Sequence, residues 1–100
     1  MIQVGQTTAV NTPSIASATT ALAVNQNRLG FNIQNLGQNP LFVLLGTGAS
    51  TTVFHAVLKG GTANDDGLGA SFSQMAGSVY TGIVTIAGTS PRYTVTELGN

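Results

Sequence analysis

Short runs of alternating apolar and polar residues, broken about every ten residues by turns rich in Gly, Asn or Pro, most constrain what this 100-residue chain can become. A repeat of two puts every second side chain on one face of a strand, whereas a helix needs a repeat of 3.6. From Arg28 to Gln34, Leu29, Phe31 and Ile33 point one way and Gly30, Asn32 and Gln34 the other. Leu41 to Leu45 is apolar on both faces, as in a strand lying between the core and a neighbouring layer or subunit. The turn formers of Asn35 to Pro40 lie between them, so the two strands are expected to make a hairpin.

The second half continues the pattern. Gly46 to Ser50 reads as a turn, and Thr52 to Leu58 as a strand rich in β-branched and aromatic residues. Lys59 to Gly69 has no alternation and is expected to be the longest surface loop, with its exposed tip at Asn64, Asp65, Asp66 and Gly67. A short strand around Phe72 is followed by Ser78 to Ala87, where Tyr80, Val84 and Ile86 oppose Val79, Thr81, Ile83 and Thr85, and Gly82 fits a bulge or a close approach. Gly88 to Pro91 turns the chain into Arg92 to Leu98, with Tyr93 and Val95 on one face, and a second hairpin is expected here. The one helical candidate, Ser14 to Leu22, is too rich in Ser and Thr to carry a buried stripe and reads as extended chain. The predicted fold is therefore all-β, a small β-sandwich or β-barrel with an extended N-terminal arm. Residues 1–20, with Ile2, Val4, Val10 and Ile15 scattered among polar residues, read as that arm or as an ordinary first strand, and residues 21–100 as a single all-β domain.

Composition narrows what such a domain does. Charged residues make up 6% of the chain, far below the quarter or so of an average domain, and the formal net charge is zero. Neutral polar residues and Gly take their place, and these tolerate burial against a partner better than Lys or Glu. The three basic residues, Arg28, Lys59 and Arg92, are spread along the chain, so nucleic acid is an unsuitable partner. No apolar run approaches the roughly 20 residues that span a bilayer, so no membrane is expected. Without Cys there are no disulfides, thiolate ligands or thiol nucleophiles.

Catalysis and cofactors find little support. His55, the single imidazole, lies in an apolar run without a nucleophile elbow, and one His with few acids is a thin supply for zinc. Asn64 to Gly67 could offer oxygens to calcium, but no acid follows until Glu97, and the same residues suit a tight solvated turn. The reading is a non-enzymatic protein without cofactors. Tyr80 and Tyr93 are the candidate ligand platform, because a phenol can keep its hydroxyl wet above an apolar ring.

The run NQNRLGFNIQNLGQNPLFVLLGTGAS, Asn25 to Ser50, followed by SVYTGIVTIAG, Ser78 to Gly88, and YTVTEL, Tyr93 to Leu98, resembles small β-rich virion proteins of tailed bacteriophages. The resemblance implies a capsid decoration (cement) protein, or a similar head, neck or tail accessory protein. In the decoration class this means a homotrimer on the outer capsid surface, with the major capsid protein as partner. That class has no catalytic residues to carry over. On this view Ile2, Val4, Val10 and Ile15 lie at a capsid or subunit interface, where Arg28 and Arg92 fix the register through their guanidinium groups. The alternative is a receptor- or glycan-binding module of a tail or head fibre.

Overall fold

The alternating segments form eight strands in a computed structural model that describes residues 3–9, 15–75 and 77–99, with residues 3–9 and 15–18 described through their backbone alone. The strands are β1 Gln3–Ala9, β2 Ile15–Leu22, β3 Arg28–Asn35, β4 Leu41–Leu45, β5 Ala56–Leu58, β6 Ser71–Gln74, β7 Val84–Thr89 and β8 Tyr93–Gly99. They build two four-stranded antiparallel sheets, ordered β1-β8-β3-β6 (sheet A) and β2-β7-β4-β5 (sheet B). The all-β expectation holds, and among the described residues there is no helix.

The sheet orders are those of an eight-stranded jelly roll, in which the chain passes back and forth between two facing sheets. Only β4 and β5 are consecutive strands paired in one sheet. Both expected hairpins are therefore corrected. β3 pairs with β6 and β8 while β4 pairs with β5 and β7, and β7 and β8 likewise belong to opposite sheets. The turn residues were read correctly as points of reversal, but at a sandwich corner the same Gly, Asn and Pro chemistry carries the chain across the core. Gln3–Ala9 and Ile15–Leu22 supply two paired strands: β1 runs beside β8, with Val4 opposite Leu98, and β2 runs beside β7, with Ile15 opposite Thr89.

Inward positions of both sheets form one core: Leu22, Phe31, Ile33, Leu41, Val43, Leu58, Val84, Ile86, Tyr93 and Val95. Phe31 and Phe72 meet with ring centroids 5.9 Å apart and tilted planes, a favourable aromatic geometry. Two strands are shorter than their patterns suggest. Thr52 to His55 is a bent segment, held by Ser50 Oγ, which accepts from the Thr52 and Val53 amides at 3.2 and 2.9 Å. Ser78 to Ile83 runs irregularly before β7, because the Tyr80 and Gly82 carbonyls turn toward Arg28 instead of joining a ladder. Conversely, Gly88 and Thr89 extend β7 where a turn was expected.

Close backbone packing fixes the long loop. Ala70 N–H donates to the Lys59 carbonyl and Asn35 N–H to the Ala70 carbonyl, both at 2.9 Å, and a methyl group on Gly69 would collide with the Asn35 carbonyl. Gly69→Ala should therefore destabilise the protein by about 1–3 kcal/mol, the usual cost of overpacking. Chemical denaturation followed by circular dichroism measures it, and an unchanged midpoint would show that this corner gives way freely.

Candidate interaction surface

Most of the chain's few charges are consumed internally. Arg28 begins β3, and its side chain is fully buried. Its Nε donates to Glu97 Oε2 at 2.7 Å, Nη1 to the Tyr80 and Gly82 carbonyls at 2.7 and 3.0 Å, and Nη2 to the Ala23 carbonyl at 2.6 Å. The guanidinium carbon also lies 5.6 Å from the Phe31 ring centroid. The expectation that Arg28 fixes register on a partner is corrected: it joins β8 of sheet A to the segments flanking β2 and β7 of sheet B. Burial explains why it must be an arginine, whose rigid fork can satisfy four acceptors at once.

Asn35 closes the other end of β3, about 23 Å away at strand spacing. Its Nδ2 donates to the Asn39 and Leu58 carbonyls at 2.8 and 2.9 Å, and its Oδ1 accepts from Gly37 N–H at 2.9 Å. No feature of the sequence set this Asn apart from its neighbours in a turn cluster.

Arg92 grips Asp65 in a bidentate pair, Nε to Oδ1 at 2.7 Å and Nη2 to Oδ2 at 2.5 Å. Arg92 is thus engaged within the chain, holding the long loop against the corner before β8, rather than standing free for a partner. Asp65 adopts φ of 60°, a left-handed conformation that Asp tolerates, and its amide donates to the Leu36 carbonyl at 2.8 Å. Asp66 takes the amides of Thr62, Ala63 and Leu68, and the Thr62 hydroxyl, at 2.8–2.9 Å. These donors hold its carboxyl down from 3.8 to about 2, the Leu68 and Ala63 amides leading; the Arg92 hydrogen bond likewise lowers Asp65. Asn64 to Gly67 form the exposed loop tip, as the sequence suggests, and among the described residues no group of three or more His, Asp or Glu could hold a metal ion.

The other named residues separate. Tyr93 is a core residue, 3% exposed, whose burial raises its phenol pKa, so it is no ligand platform. Tyr80 is partly buried against the same core. His55 is exposed, and its Nδ1 accepts from Leu45 N–H at 3.0 Å. Ile2 and Val10 lie outside the described residues, while Val4 and Ile15 have the backbone positions given above. No helix of the described residues is long and apolar enough to cross a membrane.

What faces outward is sparsely charged, with Lys59, Asp65 and Asp66 the exposed charged residues among those described. Lys59 is the one charged residue with no ion pair or capping role among the described residues. On the outer face of sheet A, Ser73, Asn32 and Thr96 stand in one cross-strand row, and Ser71, Gln34 and Thr94 in the next. Backbone register continues the rows into β1, Gln6 opposite Thr96 and Thr8 opposite Thr94. Beside them Phe31, Asn32, Ser73, Met75, Thr96 and Leu98 line a shallow groove of about 340 Å³. The outer face of sheet B differs, being apolar where Phe42 and Phe54 meet with tilted planes and ring centroids 5.1 Å apart. Phe42, on the outward side of β4, is half-buried, and Phe54 is exposed because the bent segment before β5 turns it outward.

No protein-family model, curated protein or solved structure matches this chain. Its surfaces must be interpreted from their own chemistry.

Two outcomes follow from these contacts. Arg28→Ala should cost about 3–5 kcal/mol, the price of breaking a buried pair and orphaning its acceptors, read as a large fall in the denaturation midpoint. The Asp66 clasp obeys the sign rule for a depressed carboxyl: its contribution is present above pH 3.8 and is lost as pH falls through about 2. Amide exchange of Thr62, Ala63 and Leu68 should accelerate over that window, and Asp66→Asn should remove most of the acid dependence.

Proposed function

We propose that this protein is a structural virion component of the capsid decoration type, a homotrimer that binds the major capsid protein on the outer shell and stabilises it. The observation that carries this reading is the sparsely charged exterior. The buried Arg28–Glu97 pair, the surface Arg92–Asp65 pair and the Asp66 clasp engage five of the six charged residues within the chain, and the rest of the surface is neutral polar or apolar. Such a surface loses little on desolvation and suits close packing at many equivalent sites, where modest contacts are multiplied by symmetry. Jelly-roll sandwiches are a recurrent architecture of viral capsid domains, and also of lectin domains and cupins, so the fold agrees with the reading by analogy alone.

The polar rows of sheet A are the docking face in this proposal. Ser73 Oγ donates to Asn32 Oδ1 at 2.6 Å, so this pair offers a partner the Asn32 amide hydrogens and the Ser73 oxygen, and Gln34, Ser71 and Thr96 add further amide and hydroxyl groups without placing a charge in the interface. Incubation with intact, expanded heads tests the idea: saturable binding at symmetry-related sites and greater resistance of the heads to heat are expected. Binding should change little as ionic strength rises, since screening acts on charges this face lacks. Absence of binding to intact heads would end the proposal. A receptor- or glycan-binding module of a tail or head fibre is a second reading, favoured by the groove between Asn32, Ser73 and Thr96. Saturable glycan binding lost in Asn32→Ala, with no affinity for heads, would select it.

A further inference from the structure

Between β4 and β5 the chain runs as a strap, Gly46 to His55, over the outer side of sheet B, and two polar clasps of different kinds hold it. At one end is Thr85, which stands opposite Leu44 on β7 and is 3% exposed. Its Oγ1 donates to the Gly46 carbonyl at 2.7 Å and accepts from Ala49 N–H at 3.2 Å. Gly48, with φ of 91°, lets the backbone reverse there. A threonine hydroxyl does not titrate, so this clasp is indifferent to pH.

The other end depends on an imidazole. His55 N–H donates to the Val43 carbonyl at 2.7 Å, and His55 Nδ1 accepts from Leu45 N–H at 3.0 Å. The β4–β5 ladder stops at Val43 opposite Ala56, two positions short of Leu45, so the ring supplies the acceptor that a longer β5 would have offered. This clasp sets Phe54, the preceding residue, against Phe42.

Acceptance at Nδ1 constrains the proton. The neutral ring must carry its hydrogen on Nε2, and a proton added at Nδ1 turns the acceptor into a donor that faces another donor. Histidine is the side chain that ordinarily makes this change between about pH 5 and 8. The four strands of sheet B contain no titratable residue, and His55 is the one such residue between β4 and β5. The nearest charge along the chain is Lys59, a cation, so no carboxylate of these elements stands ready to hold an imidazolium.

We propose that His55 is a proton-operated latch on this strap. As pH falls, a solvent proton adds to Nδ1, the Leu45 hydrogen bond breaks, and the His55 end lifts with Phe54 away from Phe42, while the Thr85 end stays clasped. The contact is present while the ring is neutral and is lost as it becomes charged. This device is independent of what the protein binds.

Amide exchange of Leu45 and Ala49, each divided by its intrinsic rate at the same pH, tests it at about pH 8 and about pH 5, together with the ring-nitrogen NMR signals of His55. Leu45 protection should fall at least about fivefold toward acid, the scale of one lost hydrogen bond, while Ala49 stays protected. At the higher pH the ring should be the Nε2–H tautomer. Asp65 and Asp66 are held below 3.8 and stay ionised across this window, so the loop they clamp does not contribute. His55→Asn puts a carbonyl oxygen near the Nδ1 position and should keep Leu45 protected at both pH values. His55→Gln, whose amide lies one methylene further out, should leave it unprotected at both. Equal wild-type protection at both pH values, an Nδ1–H tautomer at the higher one, or a Gln variant that behaves as Asn does overturns the latch. So does an equal loss at Ala49, because the strap then lifts as a whole. Should a variant not fold, the wild-type comparison and the tautomer decide alone.

Discussion

A single buried guanidinium decides how the sandwich is closed. Arg28 brings a positive charge to a place where an unpaired ion would cost several kcal/mol, and the fold compensates by aiming one carboxylate and three carbonyls at it. Those carbonyls belong to segments that never pair with β3 in a ladder. The irregular path of residues 78–83 is the consequence, since strand geometry would turn the Tyr80 and Gly82 carbonyls toward neighbours instead of Arg28. Asn35 repeats the device at the far end of the same strand with a neutral side chain. β3 thus carries a polar plug at each end and Phe31 and Ile33 between them, which fixes its register against both β6 and β8.

Using charges inside the fold also shapes the exterior. A chain with three basic and three acidic residues has few to spare, and the ion pairs and the Asp66 clasp leave Lys59 outside them. The surface that results is organised rather than uniformly neutral. Sheet A offers rows of hydroxyl and amide groups, sheet B offers two tilted rings in contact beside a three-residue edge strand, and the corner opposite Arg28 carries a loop clamped by its own carboxylates. Such a division gives one small domain two chemically distinct faces without the long-range field that would steer either toward nucleic acid.

The candidate surface was partly legible. Leu41 to Leu45 is apolar on both faces, which already required something to cover the outer one, and Phe42 and Leu44 are the residues on that side. The exposed position of Asn64 to Gly67 followed from residue types that favour tight, solvated turns. Arg28, Arg92 and Tyr93 were misplaced because a sequence gives a residue's chemistry but not its distant partners: Glu97 and Asp65 lie 69 and 27 positions away from the arginines they hold. Nor can alternation alone distinguish a phenol at the sheet surface from one in the core.

The sequence by itself determined the class of structure and the places where the chain changes direction. Both depend on local physics, the two-residue period of a strand and the backbone freedom of Gly, Asn and Asp in turns. Only the tertiary structure decided which strands are neighbours. A turn that makes a hairpin and a turn that crosses to the facing sheet use the same residues, and the choice at Asn35 to Pro40 and at Ser90 to Pro91 is made by what the flanking strands bury. With Ile33 and Val95 in one sheet facing Val43 and Ile86 in the other, successive strands alternate between layers everywhere except at β4 and β5, because that arrangement covers both apolar faces with one short chain.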